Sequence, residues 1–309
     1  MPILGSFGAG SARGLGQTAG AGKGLINATG GDISCCGDFR IHTFTGPGTF
    51  CVECICACVP APARKVDYLI IGGGGAGGTT GRSGGGGAGG FRESHEVPIS
   101  GSYTASPVAT SNAQTIAAGG YPISVAAGGT QSGGFGPRNV APNTTAFGIS
   151  TTGGGQGAQE WQPGQQPAAS GGSGGGGGNE GSGKSNSAGS GNAGGYSPPE
   201  GNSGGPGSGP GGGGGGGASQ SGTGGHGAPG GDGHGTQISP ADGTPGPSGP
   251  LRYFSGGGGG NPGPGGNGGA GGAGGGGTSG GTGAVANTGG GQNQGSGATG
   301  VAIIRYKFK

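Results

Sequence analysis

Between residues 171 and 250 the only large apolar side chains are Tyr196 and Ile238; glycine, serine and proline make up most of the rest. A stretch of this kind cannot bury an ordinary core, because hydrophobic stabilisation scales with the apolar area removed from water. The bias runs through the whole chain, in which 101 of 309 residues are glycine. Hydrophobic residues make up 27% and charged residues 8%, against about 45–50% and about 25% in soluble domains. This composition argues against a conventional enzyme and against the charge-rich form of disorder. A net charge of +2 without any Lys/Arg cluster lacks a nucleic-acid footprint. No apolar run approaches the roughly 20 residues of a membrane span. The opening Met1-Pro2-Ile3-Leu4-Gly5 lacks the charged and apolar blocks of a signal peptide.

Three glycine architectures compete. Collagen needs glycine at every third position with abundant proline; the runs at residues 72–75 and 211–217 break that register, and only 22 prolines are present. A flexible linker is the plain alternative. The third is an ordered polyglycine bundle, which the spacing of the other residues favours. Thr223, His226, Pro229 and Asp232 lie three apart, as do Pro264, Asn267, Ala270 and Ala273, and three residues is the polyproline II turn. Such segments would expose one edge and bring glycine edges against neighbouring backbones. A polyproline II strand has no internal hydrogen bonds, and ordering glycine costs roughly 0.5–1 kcal/mol more than ordering alanine. The segments must therefore hydrogen-bond side by side, and association into an oligomer would cover their outer edges.

Strand patterns bracket the glycine-rich body. Residues 39–44 alternate, Gly46-Pro47-Gly48 turns, and residues 49–52 return as a hairpin. Residues 66–71 form the strongest strand and residues 301–308 another; weaker ones fall at 121–126, 146–150 and 251–254. The expected fold is mainly β or irregular: a small sandwich of short strands clamping a polyproline II bundle, with no α-helix. Its parts are an extended arm (1–37), a cysteine-bearing β-region (38–71), the bundle (72–299) and a closing strand (300–309). The closing strand is expected to pair with residues 66–71 or 40–44 and to bury Ile304, Tyr306 and Phe308 on one face.

These strands carry a family likeness. Residues 40–45, Gly48-Thr49-Phe50 and residues 66–75 resemble the opening of the glycine-rich domain of bacteriophage tail-fibre and related virion proteins, of the marine and cyanobacterial phage type. Residues 122–129 and 146–155 are similar to its middle, residues 253–258 and 286–291 to its later part, and residues 300–306 to its closing strand. The resemblance implies a tail-fibre or tail-tip adhesin, on the virion tail and extracellular after release. It also implies a homotrimer that docks to other virion proteins through residues 1–37 and meets a host receptor, a glycan or an outer-membrane protein. A purely structural virion component is one alternative; a cellular surface, filament or ice-binding protein is another. Residues 51–65 depart from the family pattern, with cysteines where threonine, serine and glycine are usual.

All six cysteines, Cys35, Cys36, Cys51, Cys54, Cys56 and Cys58, lie close together in sequence. On a continuous strand Cys54, Cys56 and Cys58 would share a face and be poorly placed to bridge one another, so partners would come from Cys35, Cys36 or another subunit. Cross-linking in oxidising surroundings, buried thiols and a metal or cluster site all remain open. Through a disulfide or a metal, the cluster is expected to stabilise the junction between arm and β-region rather than to perform redox chemistry. No catalytic residue, cofactor site or defined metal site is expected. The phosphate-loop look-alike from Gly178 to Ser185 and the dinucleotide-like Gly72, Gly74, Gly77 both lack the following helix. His226 and Asp232 would lie about 19 Å apart along one polyproline II edge, too far for one ion. Arg92 and His95, in a dense charge cluster that reads as a solvated loop, and the sole tryptophan, Trp161, are the candidate receptor contacts.

Overall fold

The computed structural model describes residues 25–132, 138–160, 166–179 and 184–309. Two antiparallel sheets face one another. The first contains β1 (Ile26–Thr29), β4 (Gly48–Ile55), β8 (Gly119–Ser124), β9 (Thr144–Ala146) and β10 (Ile149–Thr151), in that order. The second contains β2 (Asp32–Cys36), β3 (Phe39–Phe44), β13 (Val301–Lys307), β5 (Lys65–Ile71) and β6 (Phe91–Glu93), and β7 (Gln114–Thr115) joins β5 beside it. The closing strand lies between both expected partners: Ile304 sits opposite His42 on one side and Tyr68 on the other.

The two sheets bury Phe50, Val52 and Ile123 against Phe44, Tyr68, Ile70, Ile304 and Tyr306, with Phe308 half-buried at the margin. The second sheet is buried on its other face too. There Ile41, Leu69, Ile71, Phe91 and Ile303 pack against Ala218, Ile238 and Phe254, which the glycine-rich body sends back. Covering on both faces is why β5 and β13 read as near-continuous apolar runs rather than strict alternation.

Several expectations are corrected. The hairpin of residues 39–44 and 49–52 does not form, because the Gly46-Pro47-Gly48 segment carries the chain from one sheet to the other. Among the described residues strands begin at Ile26, so residues 26–36 belong to the sandwich rather than to an arm; Gly30 and Gly31 make the same crossing between β1 and β2. Residues 1–24 lie outside the described residues. The single strand expected at 146–150 is a tight hairpin of β9 and β10. Its two-residue loop, Phe147-Gly148, has φ of 54° and 76°, as a type I′ turn requires. Among the described residues there is one α-helical turn, α1 (Val97–Ser100), with Pro98 in its first turn where a missing N–H is tolerated, and one 3-10 turn at Ala61–Ala63; β11 (His234–Thr236) and β12 (Arg252–Phe254) complete the strands.

The body is a sheaf of extended legs joined by backbone hydrogen bonds. Residues 72–78 and 84–90 run antiparallel, with Gly72, Gly75 and Gly78 donating to the carbonyls of Gly90, Gly87 and Gly84 at 3.0, 2.8 and 3.0 Å. In the second leg every third residue addresses the same neighbour. Gly84, Gly87 and Gly90 donate to Ala158, Gly155 and Thr152; Gly85 and Ala88 donate to Gly213 and Gly216; Gly86 and Gly89 donate to Gln292 and Gly289. The carbonyls of Gly85 and Ala88 accept from Gly176 and Ser173, and that of Gly86 from Gly258. The threefold period expected from spacing thus becomes a threefold hydrogen-bond pattern. It demands backbones in direct contact: a Cβ on Gly86 would overlap the carbonyl oxygen of Gly75. The spacing of Thr223, His226, Pro229 and Asp232 does not mark one leg: the chain turns at residues 224–227, so that Thr223 and Pro229 lie on opposite arms and the Thr223 amide donates to the Pro229 carbonyl.

Candidate functional site

Residue 72 follows β5 directly and residue 90 precedes β6, so these ends adjoin the sandwich and the 78/84 ends lie remote from it. Registering the other legs on this pair puts the turns around residues 79–83, 208–210, 224–227, 262–267 and 293–296 at the same remote end. Residues 159 and 160 also lie there. This distal cap is rich in hydroxyls and amides. Gln159 Oε1 accepts from the Thr79 amide and hydroxyl at 2.8 and 2.7 Å. Asn261 Nδ2 donates to Ser83 Oγ at 2.7 Å, and its Oδ1 accepts from Ser279 Oγ at 3.0 Å. Arg82 pairs with Glu160 at 2.8 Å, and Asn293 Nδ2 donates to the Gly259 carbonyl at 2.6 Å. These amides are buried and pin neighbouring turns to one another, leaving Thr79, Thr80, Ser208 and His226 exposed around them. Sequence reading missed Gln159, Asn261 and Asn293; the only signal was an amide at the end of a glycine leg.

The expected contact residues do not come together. Trp161 lies outside the described residues. Arg92 stands beside the sandwich on β6, its Nη1 donating to the Ser150 carbonyl at 3.2 Å and its guanidinium 4.3 Å from the Tyr196 ring. His95 packs its ring 4.2 Å from Tyr103, and its Nε2 bonds the Gly101 carbonyl. The cluster around them is not a solvated loop: Glu93 is 2% exposed and Ser94 fully buried. Buried carboxylates and hydroxyls pin this segment instead. Asp67 accepts from Ser94 Oγ (2.7 Å), Ser100 Oγ (2.6 Å) and the Glu96 amide (2.8 Å). Glu93 accepts from Thr236 Oγ1 at 2.6 Å and the Ser106 amide at 2.9 Å. Desolvation raises both carboxyl pKa values, and those hydrogen bonds oppose the rise. Arg305 is buried nearby, donating to the Ser100 and Ile238 carbonyls at 2.9 Å each and lying over Phe39 and Tyr103.

In the sandwich, His42 Nδ1 lies 2.7 Å from the Gly30 carbonyl and Nε2 lies 3.0 Å from the Tyr306 hydroxyl. A carbonyl can only accept, so Nδ1 carries the proton and Nε2 accepts from Tyr306. Burial lowers the His42 pKa and pushes Tyr306 up to about 12, keeping both neutral.

β4 stops at Ile55, so Cys56 and Cys58 lie in the following turn rather than on a strand face. There they form a disulfide with Cα atoms 5.1 Å apart, a span that bridging allows, against the expectation that near neighbours could not bond. Cys35, Cys36 and Cys54 are exposed thiols and Cys51 is half-buried. Among the described residues no three His, Cys, Asp or Glu side chains are grouped to hold a metal ion. His226 is exposed, whereas Asp232 accepts from the Ala273 amide at 2.7 Å and joins two legs. Residues 72–77 form a bundle leg followed by a second leg, not a dinucleotide loop before a helix; residues 180–183 of the phosphate-loop look-alike lie outside the described residues. No helix among the described residues is long and apolar enough to cross a membrane.

A sandwich clamping a polyglycine sheaf with a stitched loop cap defines a glycine-rich structural class, and comparison with known sequences agrees. The glycine-rich domain family model matches residues 45–307, so the chain belongs to that family. No curated protein and no solved structure matches it.

Proposed function

We propose that this chain is a non-enzymatic virion protein, a tail-fibre or tail-tip adhesin whose distal cap meets the host-cell surface. The reading rests on one observation: the turns at the far end of the sheaf expose polar side chains such as Thr79, Thr80, Ser208 and His226 on a common face, while the interior is held by backbone. Turns mounted on a side-chain-independent scaffold can be exchanged without unfolding it, which suits recognition of variable surface glycans. The likeness of the strand blocks to phage virion proteins supports the same reading and supplies the particle as context.

The test is made on the phage that carries the chain. The exposed cap residues Thr79, Thr80, Ser208 and His226 are replaced by alanine, and a second phage carries a deletion within the body. Loss of adsorption by intact particles bearing the altered cap supports adhesion. Unchanged adsorption of the cap variant, with failed particle assembly in the deletion, would make the protein a structural component instead.

A further inference from the structure

Most asparagines of the sheaf are pins. Asn202 Nδ2 donates to the Ala218 carbonyl at 2.9 Å, Asn287 Oδ1 accepts from Thr299 Oγ1 at 2.9 Å, and Asn261 and Asn293 are buried and bonded at the cap. Asn267, at the end of a cap turn, is the exception. It is exposed, and among the described residues neither its side chain nor its backbone makes a hydrogen bond. Gly268 shares this freedom: its amide donates to no described group, although the Gly269 amide beside it donates to the Gly260 carbonyl at 3.0 Å. Asn267-Gly268 is the one Asn-Gly pair in the chain.

Packing keeps that pair as it is. A Cβ on Gly268 would overlap the side chain of Ser279, which is itself held by donating to the buried Asn261 at 3.0 Å. Residue 268 is therefore confined to glycine, whose bare backbone leaves the nitrogen open to close approach by a neighbouring group. On the other side, the His226 ring fills the place that a Cβ on Gly266 would take, and a Cβ on Gly227 would overlap the Asn267 carbonyl. An exposed imidazole is thus packed against the backbone one residue before Asn267, and imidazole is the side chain most often used to carry protons in general acid–base chemistry.

We propose that Asn267 is a self-modification site on the cap, converted to aspartate and isoaspartate with His226 carrying the proton. The Gly268 nitrogen attacks Asn267 Cγ, and the Cγ–Nδ2 bond breaks. The proton lost from Gly268 passes through the His226 imidazole to the departing nitrogen, which leaves as ammonia. One water then opens the five-membered succinimide at either of its two carbonyls. One opening leaves aspartate; the other leaves isoaspartate, with the chain routed through the side-chain carbon. Solvent water is the only co-reactant, and no electrons are exchanged. Both products place a carboxylate where a neutral amide stood, and isoaspartate lengthens the turn by one backbone atom. The neighbouring pins lack a requirement each: Asn261 precedes Pro262, which has no N–H, and Asn293 is buried with Nδ2 bonded to the Gly259 carbonyl at 2.6 Å. This chemistry does not depend on the cap meeting a host.

The full chain is incubated folded at neutral pH, and a second sample is incubated unfolded in urea. Both are then digested with trypsin, which releases residues 253–305 as one peptide. Mass spectrometry locates any exchange of NH for O, and an isoaspartate methyltransferase labels the isoaspartate. Conversion is expected at Asn267 of the folded chain, with Asn261, Asn287 and Asn293 of the same peptide remaining amides. Asn267→Gln should abolish it, and His226→Ala, which removes an exposed ring, should slow it about tenfold, less than the roughly 10²–10⁴ that positioned enzyme groups give. An Asn267 that stays an amide in the folded chain while the unfolded chain converts, or a rate that His226→Ala leaves unchanged, overturns the inference.

Discussion

The sheaf predicts an unusually severe penalty for adding a single methyl group. Gly86 lies in the leg whose six neighbours surround it; its amide donates to Gln292 and its carbonyl accepts from Gly258. A Cβ there collides with the Gly75 carbonyl, which belongs to the antiparallel leg of residues 72–78. Backbone cannot rotate aside as a side chain can, so Gly86→Ala must push the two legs apart. Three hydrogen bonds join them, from Gly72, Gly75 and Gly78 at 2.8–3.0 Å. At about 1 kcal/mol each, their loss comes to about 3 kcal/mol, the upper part of the usual 1–3 kcal/mol overpacking range. For a domain of this size that corresponds to a fall in Tm of roughly 6–12 °C. Gly81 is the matched control: an added Cβ there meets nothing within 4 Å, and its φ is not positive. Gly81→Ala should be neutral or stabilise by up to about 1 kcal/mol, through the unfolded chain. Differential scanning calorimetry of the parent and both variants decides the matter. If Gly86→Ala melts with Gly81→Ala, the close-packed backbone argument is wrong.

Two further outcomes are expected. Burial lowers the His234 pKa from 6.5 to about 4, so the unfolded chain takes up the proton first as pH falls. The neutral ring's contribution is complete above about pH 6.5 and lost by about pH 4, a change of about 3 kcal/mol; Asp67 and Glu93, whose values are raised, act in the opposite sense. His234→Leu should therefore flatten urea-unfolding stability across that window, and an unchanged slope refutes the assignment. The Cys56–Cys58 bridge closes a loop of separation 2, for which chain entropy allows only about 1.5 kcal/mol. Replacing both with serine should shift Tm by a few degrees at most, and a collapse of the fold would show that the pair does more than cross-link a turn.

Residues 66–71 and 301–307 were legible because strands buried on both faces carry dense β-branched and aromatic side chains, and their pairing followed from the lack of any other core. The spacing of Thr223, His226 and Pro229 misled, because it spans the turn at residues 224–227, and in a chain one-third glycine such a turn leaves no mark distinct from the legs. β1 and β2 were not, since Ile26-Asn27-Ala28-Thr29 and the cysteine-bearing strand after it are short and mostly polar. The false hairpin has a different cause: a Gly-Pro-Gly turn reverses the chain equally well beside itself or across a 10 Å sandwich, and only the partner strands decide. The cluster around Glu93 reads as a solvated loop because the groups that satisfy Glu93, the Thr236 hydroxyl and the Ser106 amide, come from residues that carry no signal in sequence. The distal cap was hidden for a related reason, since its pins Gln159 and Asn261 bond to turns about 80 and 180 residues away in sequence.

The threefold ladder also leaves the interior degenerate. A leg of bare glycine that slides along its axis by three residues, about 9 Å, restores every donor to an acceptor, because the neighbours present the same repeat. A side-chain core resists slippage by shape; here alignment information resides only at the leg ends, in the sandwich strands, the alanine methyls such as Ala88, and the amide pins of the cap. Refolding should therefore populate compact, fully hydrogen-bonded but slipped species that resolve slowly, and each amide pin acts as an index mark that makes one alignment cheaper than its translated copies.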